Sequence, residues 1–264
     1  MYEFEYHRPA NLDEVGRILG AREEAKIVAG GMTLIPTLKQ RLAHPSDLID
    51  LGAISSLRGI REEGDRIVIG AMTRHVEVER SAIVQRGIPA LAALAGHIGD
   101  PAVRNRGTIG GSIANNDPAA DYPAAVLALG GSVKTTKREI AADPFFTGMF
   151  ETALDPSEII TAVSFPKPQA AAYQKFPNPA SRYAIAGVFV ARFPNAVRVA
   201  VTGAAPCVFR VPEMEAALSR SFSADAIKDI KIPEGGLNTD IHASAEYRAH
   251  LVGVMARRAV AACG

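Results

Sequence analysis

Cysteine is scarce in this chain of 264 residues, which contains only Cys207 and Cys263. Two cysteines cannot form a disulfide framework, and they cannot supply the four thiolates that an iron–sulfur cluster requires. Neither has a histidine next to it in the sequence, so we interpret both as small buried or terminal side chains. The six histidines show no metal-ligand spacing such as His-x-x-x-His, and the sequence therefore predicts no metal site.

A charge excess and long apolar runs are also missing. Lys and Arg number 29 against 28 Asp and Glu, a net charge of +1, which argues against a nucleic-acid partner. No apolar run approaches the ~18 residues of a membrane span. The first residues, Met1 to Tyr6, lack the basic region and apolar core of a signal peptide. We therefore expect a cytoplasmic, soluble protein.

The usual nucleotide-binding motifs are absent as well. The chain has no Gly-x-Gly-x-x-Gly of a Rossmann fold, and no Walker lysine follows a glycine-rich segment. It has instead two segments with a double glycine. The first glycine segment, 28–36, contains Gly30-Gly31 and then Thr33; the second glycine segment, 104–118, contains Gly110-Gly111 and then Ser112.

These glycine segments predict an anion site. Glycine has no Cβ, so a ligand can approach the backbone closely, and successive N–H groups can form a concavity that favours an anion. The first segment also follows a short apolar run and precedes a helix for which Thr33 is the expected N-cap. Two such segments with hydroxyl residues at matching places predict two clamps on one diphosphate.

The pattern of apolar residues predicts an α+β fold, because helices and strands are mixed without a strict βαβ alternation. A capping box at Asn11 and Glu14 predicts the start of the first helix. We expect helices at 12–19, 33–41, 76–84, 88–98, from Asp121 onward, from Ser223 onward and at 244–262. We expect strands at 26–29, 48–51, 66–70, 132–136, 158–165, 183–193 and 197–203, with a hairpin-like turn at 62–65 between the second and third. The proline-rich segment 165–179 is the predicted domain boundary.

The glycine segments and their flanks resemble a known family. Ala29 to Thr33, Arg104 to Ser112 and Asp117 to Pro123 are similar to motifs of the FAD-binding medium subunit of molybdenum hydroxylases, the group of carbon monoxide dehydrogenase and xanthine dehydrogenase. Phe4 to Pro9, Gly70 to His75 and Ala243 to Arg248 extend the resemblance nearly from end to end. Met32 departs from the Gln or His of many relatives, and Ser112 from their Asn.

The resemblance implies a fold and a set of partners. The FAD-binding domain, 1–168, would be of the vanillyl-alcohol-oxidase (PCMH) type, with two subdomains divided near residue 55. A smaller α/β C-terminal domain, 169–264, would follow. The partners would be a small subunit with [2Fe–2S] clusters and a large molybdopterin subunit, in a dimer of heterotrimers. Electrons would pass through the clusters to FAD and then to NAD, a quinone or oxygen.

The resemblance also implies which residues hold FAD. Both glycine segments would wrap the diphosphate, Asp121 would bond the cofactor, and Ile98, Ile160 and Lys175 would touch its flavin or adenosine part. The charge of Lys175 would favour an anionic reduced flavin. The full set is Ala29, Gly30, Gly31, Met32, Thr33, Leu34, Ile35, Ile98, Thr108, Gly110, Gly111, Ser112, Asp121, Ile160 and Lys175.

Some interpretations stay open at this point. Arg104 and Arg106 either offset the diphosphate charge or form surface ion pairs, and Tyr183 either lies beside the flavin or is a buried strand residue. Asp117 is interpreted as a turn residue. Two other functions are also open, a self-sufficient FAD-dependent oxidase or reductase and a non-catalytic scaffold that has lost the cofactor.

Overall fold

The computed structural model describes residues 1–263. Its α helices are α1 (Leu12–Ala21), α2 (Leu34–Lys39), α3 (His75–Arg80), α4 (Ala82–Gly87), α5 (Pro89–Gly96), α6 (Pro101–Arg106), α7 (Ile109–Asn115), α8 (Tyr122–Ala128), α9 (Ala142–Phe145), α10 (Pro212–Arg220) and α11 (Ala245–Ala262). Its strands are β1 (Glu5–His7), β2 (Lys26–Val28), β3 (Asp47–Asp50), β4 (Ile60–Glu63), β5 (Arg66–Gly70), β6 (Ser132–Thr135), β7 (Glu139–Ala141), β8 (Phe146–Gly148), β9 (Glu151–Thr152), β10 (Ile160–Pro166), β11 (Ala170–Pro177), β12 (Ala184–Phe193), β13 (Ala196–Thr202) and β14 (Phe209–Arg210).

The strands form separate sheets that follow one another along the chain. A parallel three-stranded sheet has the order β1-β3-β2. An antiparallel five-stranded sheet has the order β4-β5-β10-β6-β7, and an antiparallel four-stranded sheet has the order β11-β12-β13-β14. The short pair β8-β9 forms a hairpin. This mixture of helices and sheets confirms the predicted α+β class.

The four-stranded sheet is buried on both faces. Val188, Phe189 and Val190 are fully buried in succession, and neighbouring residues of a strand point to opposite faces. Phe189 belongs to the core that includes helices α5 and α8, whereas Val188 and Val190 belong to a second core with α10 and α11. The C-terminal sheet therefore shares one continuous core with the N-terminal part of the chain.

The start of α1 shows how local sequence positions the small parallel sheet. Asn11 caps the helix by accepting a hydrogen bond from the Glu14 N–H at 3.0 Å. The Glu14 carboxylate in turn accepts from the Ala10 N–H at 2.9 Å, one residue earlier than in the usual capping box. Val15 on α1 is fully buried against Ile49 of β3, so the capped helix covers this sheet.

Three predicted elements differ from the structure in the N-terminal half. The predicted helix at 76–84 is two helices, because Ser81 ends α3 and caps α4 through its hydroxyl. The turn at 62–65 does not join the strands at 48–51 and 66–70. It joins β5 to β4, a strand that the sequence analysis missed, while β3 lies in another sheet. The second glycine segment contains a helix that was not predicted, since Gly110 and Gly111 lie inside α7.

The C-terminal half also differs in places. The proline-rich segment contains the eight-residue strand β11. The expected helix from Ser223 is only a short 3-10 turn, Ala224–Ile227, and α10 just before it was not predicted. Helix α11 is confirmed; its buried face runs through Arg248, Leu251 and Met255, and Tyr247 is exposed. No helix of residues 1–263 is long and apolar enough to cross a lipid bilayer.

Candidate functional site

A cavity of about 590 Å³ lies where the small parallel sheet, α7 and the start of β10 meet. Both glycine segments contribute to its wall, and Tyr183, just before β12, lies on it as well. Its volume falls within the range of cofactor and small-molecule sites. The geometry therefore joins segments that lie far apart in the sequence into one site.

The first glycine segment presents a row of main-chain donors. Among the described residues, no protein acceptor faces the N–H groups of residues 30–33, which connect β2 to α2. Gly31 has φ of 73°, a left-handed conformation that favours glycine. Thr33 precedes α2 as predicted, but its side chain makes no capping hydrogen bond. A row of N–H groups without protein acceptors is suited to binding an anion.

The second glycine segment contributes in a different way. The N–H groups of Gly110, Gly111 and Ser112 already donate to Ala71 O at 2.9 Å, to Thr108 Oγ1 at 3.2 Å and to Thr108 O at 3.0 Å. These amides already have protein partners, so the structure does not add support to a second main-chain clamp, which stays a prediction. What this segment offers the cavity is the hydroxyls of Thr108 and Ser112 and a wall without side chains at its glycines.

The two glycine segments touch each other directly. A Cβ on Gly30 would collide with the carbonyl oxygen of Arg106 and would lie 2.7 Å from the Cα of Gly107. A Cβ on Gly110 would lie 2.7 Å from the carbonyl oxygen of Ala71. These glycines are required by the backbone-to-backbone approach that shapes the cavity.

Asp121, which was predicted to form a hydrogen bond with the cofactor, is an acidic residue of the cavity wall. It is buried, and Tyr173 donates to its Oδ1 at 2.5 Å. The Lys175 ammonium lies 3.0 Å from Oδ1 and 3.1 Å from Oδ2, and also donates to His97 O at 2.8 Å. Burial raises the pKa of the Asp121 carboxyl, and the nearby Lys175 charge and Tyr173 hydroxyl oppose that rise.

Most of the residues predicted to bind the cofactor surround the cavity. Those that line it are Ala29, Gly30, Gly31, Met32, Thr33, Leu34, Ile98, Thr108, Gly110, Gly111, Ser112, Asp121 and Ile160. Ile35 does not line the cavity within the described chain. Its side chain occupies the space that a Cβ on Gly31 would need. Lys175 is not among them either, because it lies behind Asp121.

The structure also bears on the interpretations of Arg104, Asp117 and Tyr183. Arg104 forms an ion pair with Glu79 at 3.3 Å and donates to the carbonyl oxygens of Ile98 and Gly99. Asp117 is a turn residue, as predicted, and accepts from the Ala119 N–H at 2.9 Å. Tyr183 is not a buried strand residue, since it precedes β12 and is partly exposed.

Two buried polar residues of the cavity wall were missed. His75 is 4% exposed, and burial, with a smaller contribution from the Arg104 charge, lowers its pKa to about 4. Glu158 accepts from Arg138 at two 3.0 Å contacts, and these hydrogen bonds are the main reason that its pKa is lowered to about 2. His75 ends the segment Gly70 to His75 that carries part of the family resemblance, but nothing in that segment marked the histidine as a residue of the cavity wall. Glu158 lies in no local motif, because its partner Arg138 is 20 positions away in the sequence.

A glycine-shaped cavity with a row of free main-chain amides is typical of proteins that bind a cofactor through its diphosphate. Residues 2–168 match the family model described as the FAD binding domain in molybdopterin dehydrogenase. The chain is 37% identical to the nicotine 6-hydroxylase medium subunit of Paenarthrobacter nicotinovorans, over 98% of this chain and 96% of that protein. It is also 37% identical to the carbon monoxide dehydrogenase medium chain of Hydrogenophaga pseudoflava, over 97% and 96%.

Solved structures agree with these sequence matches. Carbon monoxide dehydrogenase from Hydrogenophaga pseudoflava superposes with a TM-score of 0.89 at 37% identity, covering 99% of this chain and 97% of that chain. Quinoline 2-oxidoreductase from Pseudomonas putida 86 gives 0.90 at 28% identity with the same coverage. The chain belongs to the family of FAD-binding subunits of molybdenum hydroxylases. It is an oxidoreductase subunit, and its cofactor is FAD.

Proposed function

We propose that this chain is the FAD-containing electron-transfer subunit of a heterotrimeric molybdenum hydroxylase. Electrons reach it from the [2Fe–2S] clusters of a small partner subunit and leave to an external acceptor. Substrate oxidation takes place on the large molybdopterin subunit, and the assembly is a dimer of such heterotrimers. The observation that carries the proposal is the cavity with free amides at residues 30–33, in a chain that matches medium subunits along 97–98% of its length.

The residues present fit an FAD diphosphate. The amides of the first glycine segment would donate to its oxygens, and the hydroxyls of Thr108 and Ser112 would donate from the opposite side. A hydrogen bond to a charged group contributes roughly 1.5–3 kcal/mol, and each ~1.4 kcal/mol is a factor of ten in affinity. Several such bonds therefore supply a large share of tight binding.

The remaining predicted contacts complete the proposal. Asp121 would accept a hydrogen bond from a cofactor hydroxyl, and Ile98 and Ile160 would pack against the flavin or adenosine part. Bound FAD supplies the redox chemistry, while the chain supplies position, electrostatics and access. We also propose the domain division 1–168 and 169–264, with the two subdomains of the first domain meeting near residue 55.

Reconstitution tests this function against its two alternatives. The purified chain is prepared alone with FAD and, separately, together with the small and large subunits. We expect the flavin absorbance to bleach on addition of the organic substrate only in the complete assembly. Bleaching in the chain alone would indicate a self-sufficient oxidase or reductase, and a chain that binds no flavin in either preparation would indicate a scaffold.

A further inference from the structure

Asp121 is held from behind by two side chains of the C-terminal sheet. Tyr173 and Lys175 both lie on β11, and both point to the same carboxylate at the start of α8. The three side chains are nearly inaccessible, with exposed fractions of 6% for Tyr173 and 4–5% for Lys175 and Asp121. A wall residue of the cavity thus depends on partners more than 50 positions later in the chain.

The position of the Tyr173 hydroxyl is fixed by the neighbouring strand. Gly187 on β12 pairs with Lys175, and a Cβ there would collide with Tyr173 Oη and lie 3.0 Å from its Cζ. The Tyr173 ring also packs against Phe189, with ring centroids 6.1 Å apart. Glycine at position 187 therefore leaves the space in which the hydroxyl meets Asp121.

The hydrogen bonds leave one oxygen of Asp121 with spare capacity. Oδ1 takes the Tyr173 hydroxyl at 2.5 Å and has Lys175 Nζ at 3.0 Å. Oδ2 takes only the Lys175 donor, at 3.1 Å. A carboxylate has about four acceptor positions, so Oδ2 is the oxygen left to accept from a ligand in the cavity.

We propose that Tyr173 is a positioning residue of the FAD site, which holds the Asp121 carboxylate so that Oδ2 accepts a hydroxyl of the cofactor. The inference rests on the proposed contact between Asp121 and FAD. It makes the C-terminal sheet a part of the cofactor site, even though neither Tyr173 nor Lys175 lines the cavity within residues 1–263. Tyr173 acts through Asp121 and needs no contact with FAD itself.

The positioning role predicts a change in the pH dependence of FAD binding that a purely structural role for Tyr173 does not predict. The Tyr173 hydroxyl lowers the pKa of Asp121 against the effect of burial, so its removal raises that pKa further. Asp121 then takes up its proton at a higher pH, and the bond from Oδ2 to the cofactor weakens there. The other titratable groups that act on Asp121 or are acted on by it are Lys175, His97, Tyr122 and Tyr183.

The test is FAD binding by the full chain as a function of pH. The variant is Tyr173→Phe, which removes only the hydroxyl, and the control is Tyr247→Phe, an exposed tyrosine of α11. The Kd for FAD is measured by flavin fluorescence on protein freed of cofactor. We expect Tyr173→Phe to bind about ten-fold more weakly than wild type near neutral pH. As the pH is lowered, we also expect Tyr173→Phe to lose FAD affinity at a higher pH than wild type does. Tyr247→Phe should follow wild type.

A second substitution distinguishes an effect on the Tyr173 hydroxyl from a general loss of folded protein. Gly187→Ala pushes against the Tyr173 hydroxyl, so it should weaken FAD binding in the wild-type background and much less in the Tyr173→Phe background. Additive losses, or a Tyr173→Phe variant with the wild-type Kd and pH profile, would overturn the role of Tyr173. Absence of FAD binding by wild type at every pH would instead count against the FAD site itself.

Discussion

Single residues decide the shape of the cofactor cavity, and Gly30 is the most constrained of them. Its Cα faces the backbone of the second glycine segment, where the Arg106 carbonyl leaves no room for a Cβ. The adjacent amides of the first segment have no protein acceptors among the residues described. Any shift at Gly30 therefore moves those donors relative to the second glycine segment, which it contacts.

Replacement of Gly30 tests this constraint. Gly30→Ala should separate the two glycine segments, reduce FAD affinity by at least ten-fold and lower the free energy of unfolding by about 1–3 kcal/mol, the usual cost of overpacking. The control is Gly16→Ala in α1, where no atom lies within 4 Å of the added Cβ. That change should raise stability by roughly 0.5–1 kcal/mol and leave the Kd for FAD unchanged. Equal FAD affinity in both variants would contradict the assignment.

His75 gives the molecule a predictable acid sensitivity. Its pKa is about 4 in the folded chain, because it is buried, whereas an unfolded histidine has about 6.5. The unfolded state therefore binds an extra proton between these values. Stability is full above about pH 6.5 and falls as the pH drops toward 4, by up to about 3 kcal/mol from this residue.

Chemical unfolding at several pH values measures this effect. His75→Gln should flatten the loss of stability between about pH 6.5 and 4, since glutamine takes up no proton. The matched control is His242→Gln at an exposed position. An unchanged pH dependence in His75→Gln would show that other groups cause the acid sensitivity.

At the scale of elements, the short helix α7 connects stability to the site. Thr108 caps it, because its Oγ1 accepts from the Gly111 N–H at 3.2 Å, and the same hydroxyl lies on the cavity wall. One side chain thus orders the helix and, in the proposed site, would offer a hydroxyl hydrogen to the cofactor. The cap requires an oxygen at this position and places no demand on the methyl group.

Two substitutions separate the parts of the Thr108 side chain. Thr108→Ser keeps the hydroxyl and should retain FAD affinity. Thr108→Val keeps the shape but loses the cap and the donor, which should cost about 1 kcal/mol of stability and weaken FAD binding. Urea unfolding and FAD titration of both variants provide the measurement. Identical results for serine and valine would exclude a role for the hydroxyl.

Sequence signals predicted the first glycine segment well because they are local. The apolar run 26–28, the glycine turn and Thr33 before α2 all act over a few residues, and the structure has this strand, turn and helix. The second segment was predicted less well. Its amides are taken by Ala71 and by Thr108, and the contact with Ala71 is tertiary and leaves no trace in the local sequence.

The strand β11 was also missed because its position depends on contacts that the local sequence does not show. Its flanking prolines dominate the pattern, so the segment 165–179 was interpreted as a boundary, although eight residues within it pair with β12. The pairing that brings Lys175 to Asp121 is decided by long-range packing of the sheet on α5 and α8. The family resemblance therefore implied that both residues belong to the site, but it did not indicate that Lys175 lies behind Asp121.

At the scale of the whole molecule, the two parts of the chain are joined by a shared core. Val133, Tyr122 and Phe189 belong to one cluster, although they lie on the five-stranded sheet, α8 and the four-stranded sheet. Arg198 of β13 adds polar contacts, donating to Leu127 O at 3.0 Å and to Asp143 at 2.8 Å. Such a core couples the unfolding of both parts.

Calorimetry should therefore show one cooperative unfolding transition for the full chain. FAD at 100 times its Kd should stabilise the folded state by about 2.7 kcal/mol and shift the whole transition upward. Two resolved transitions, with only one of them moved by FAD, would indicate that the two parts unfold separately and that the C-terminal sheet does not support the site.

The contact between Asp121 and β11 also has a consequence for biosynthesis. The chain leaves the ribosome from its N-terminus, so both glycine segments emerge well before Tyr173 and Lys175. Until β11 has been translated and paired with β12, Asp121 lacks both the Lys175 ammonium and the Tyr173 hydroxyl. Flavin loading is thus expected to wait for the last third of the polypeptide, and nascent chains halted earlier should not retain the cofactor.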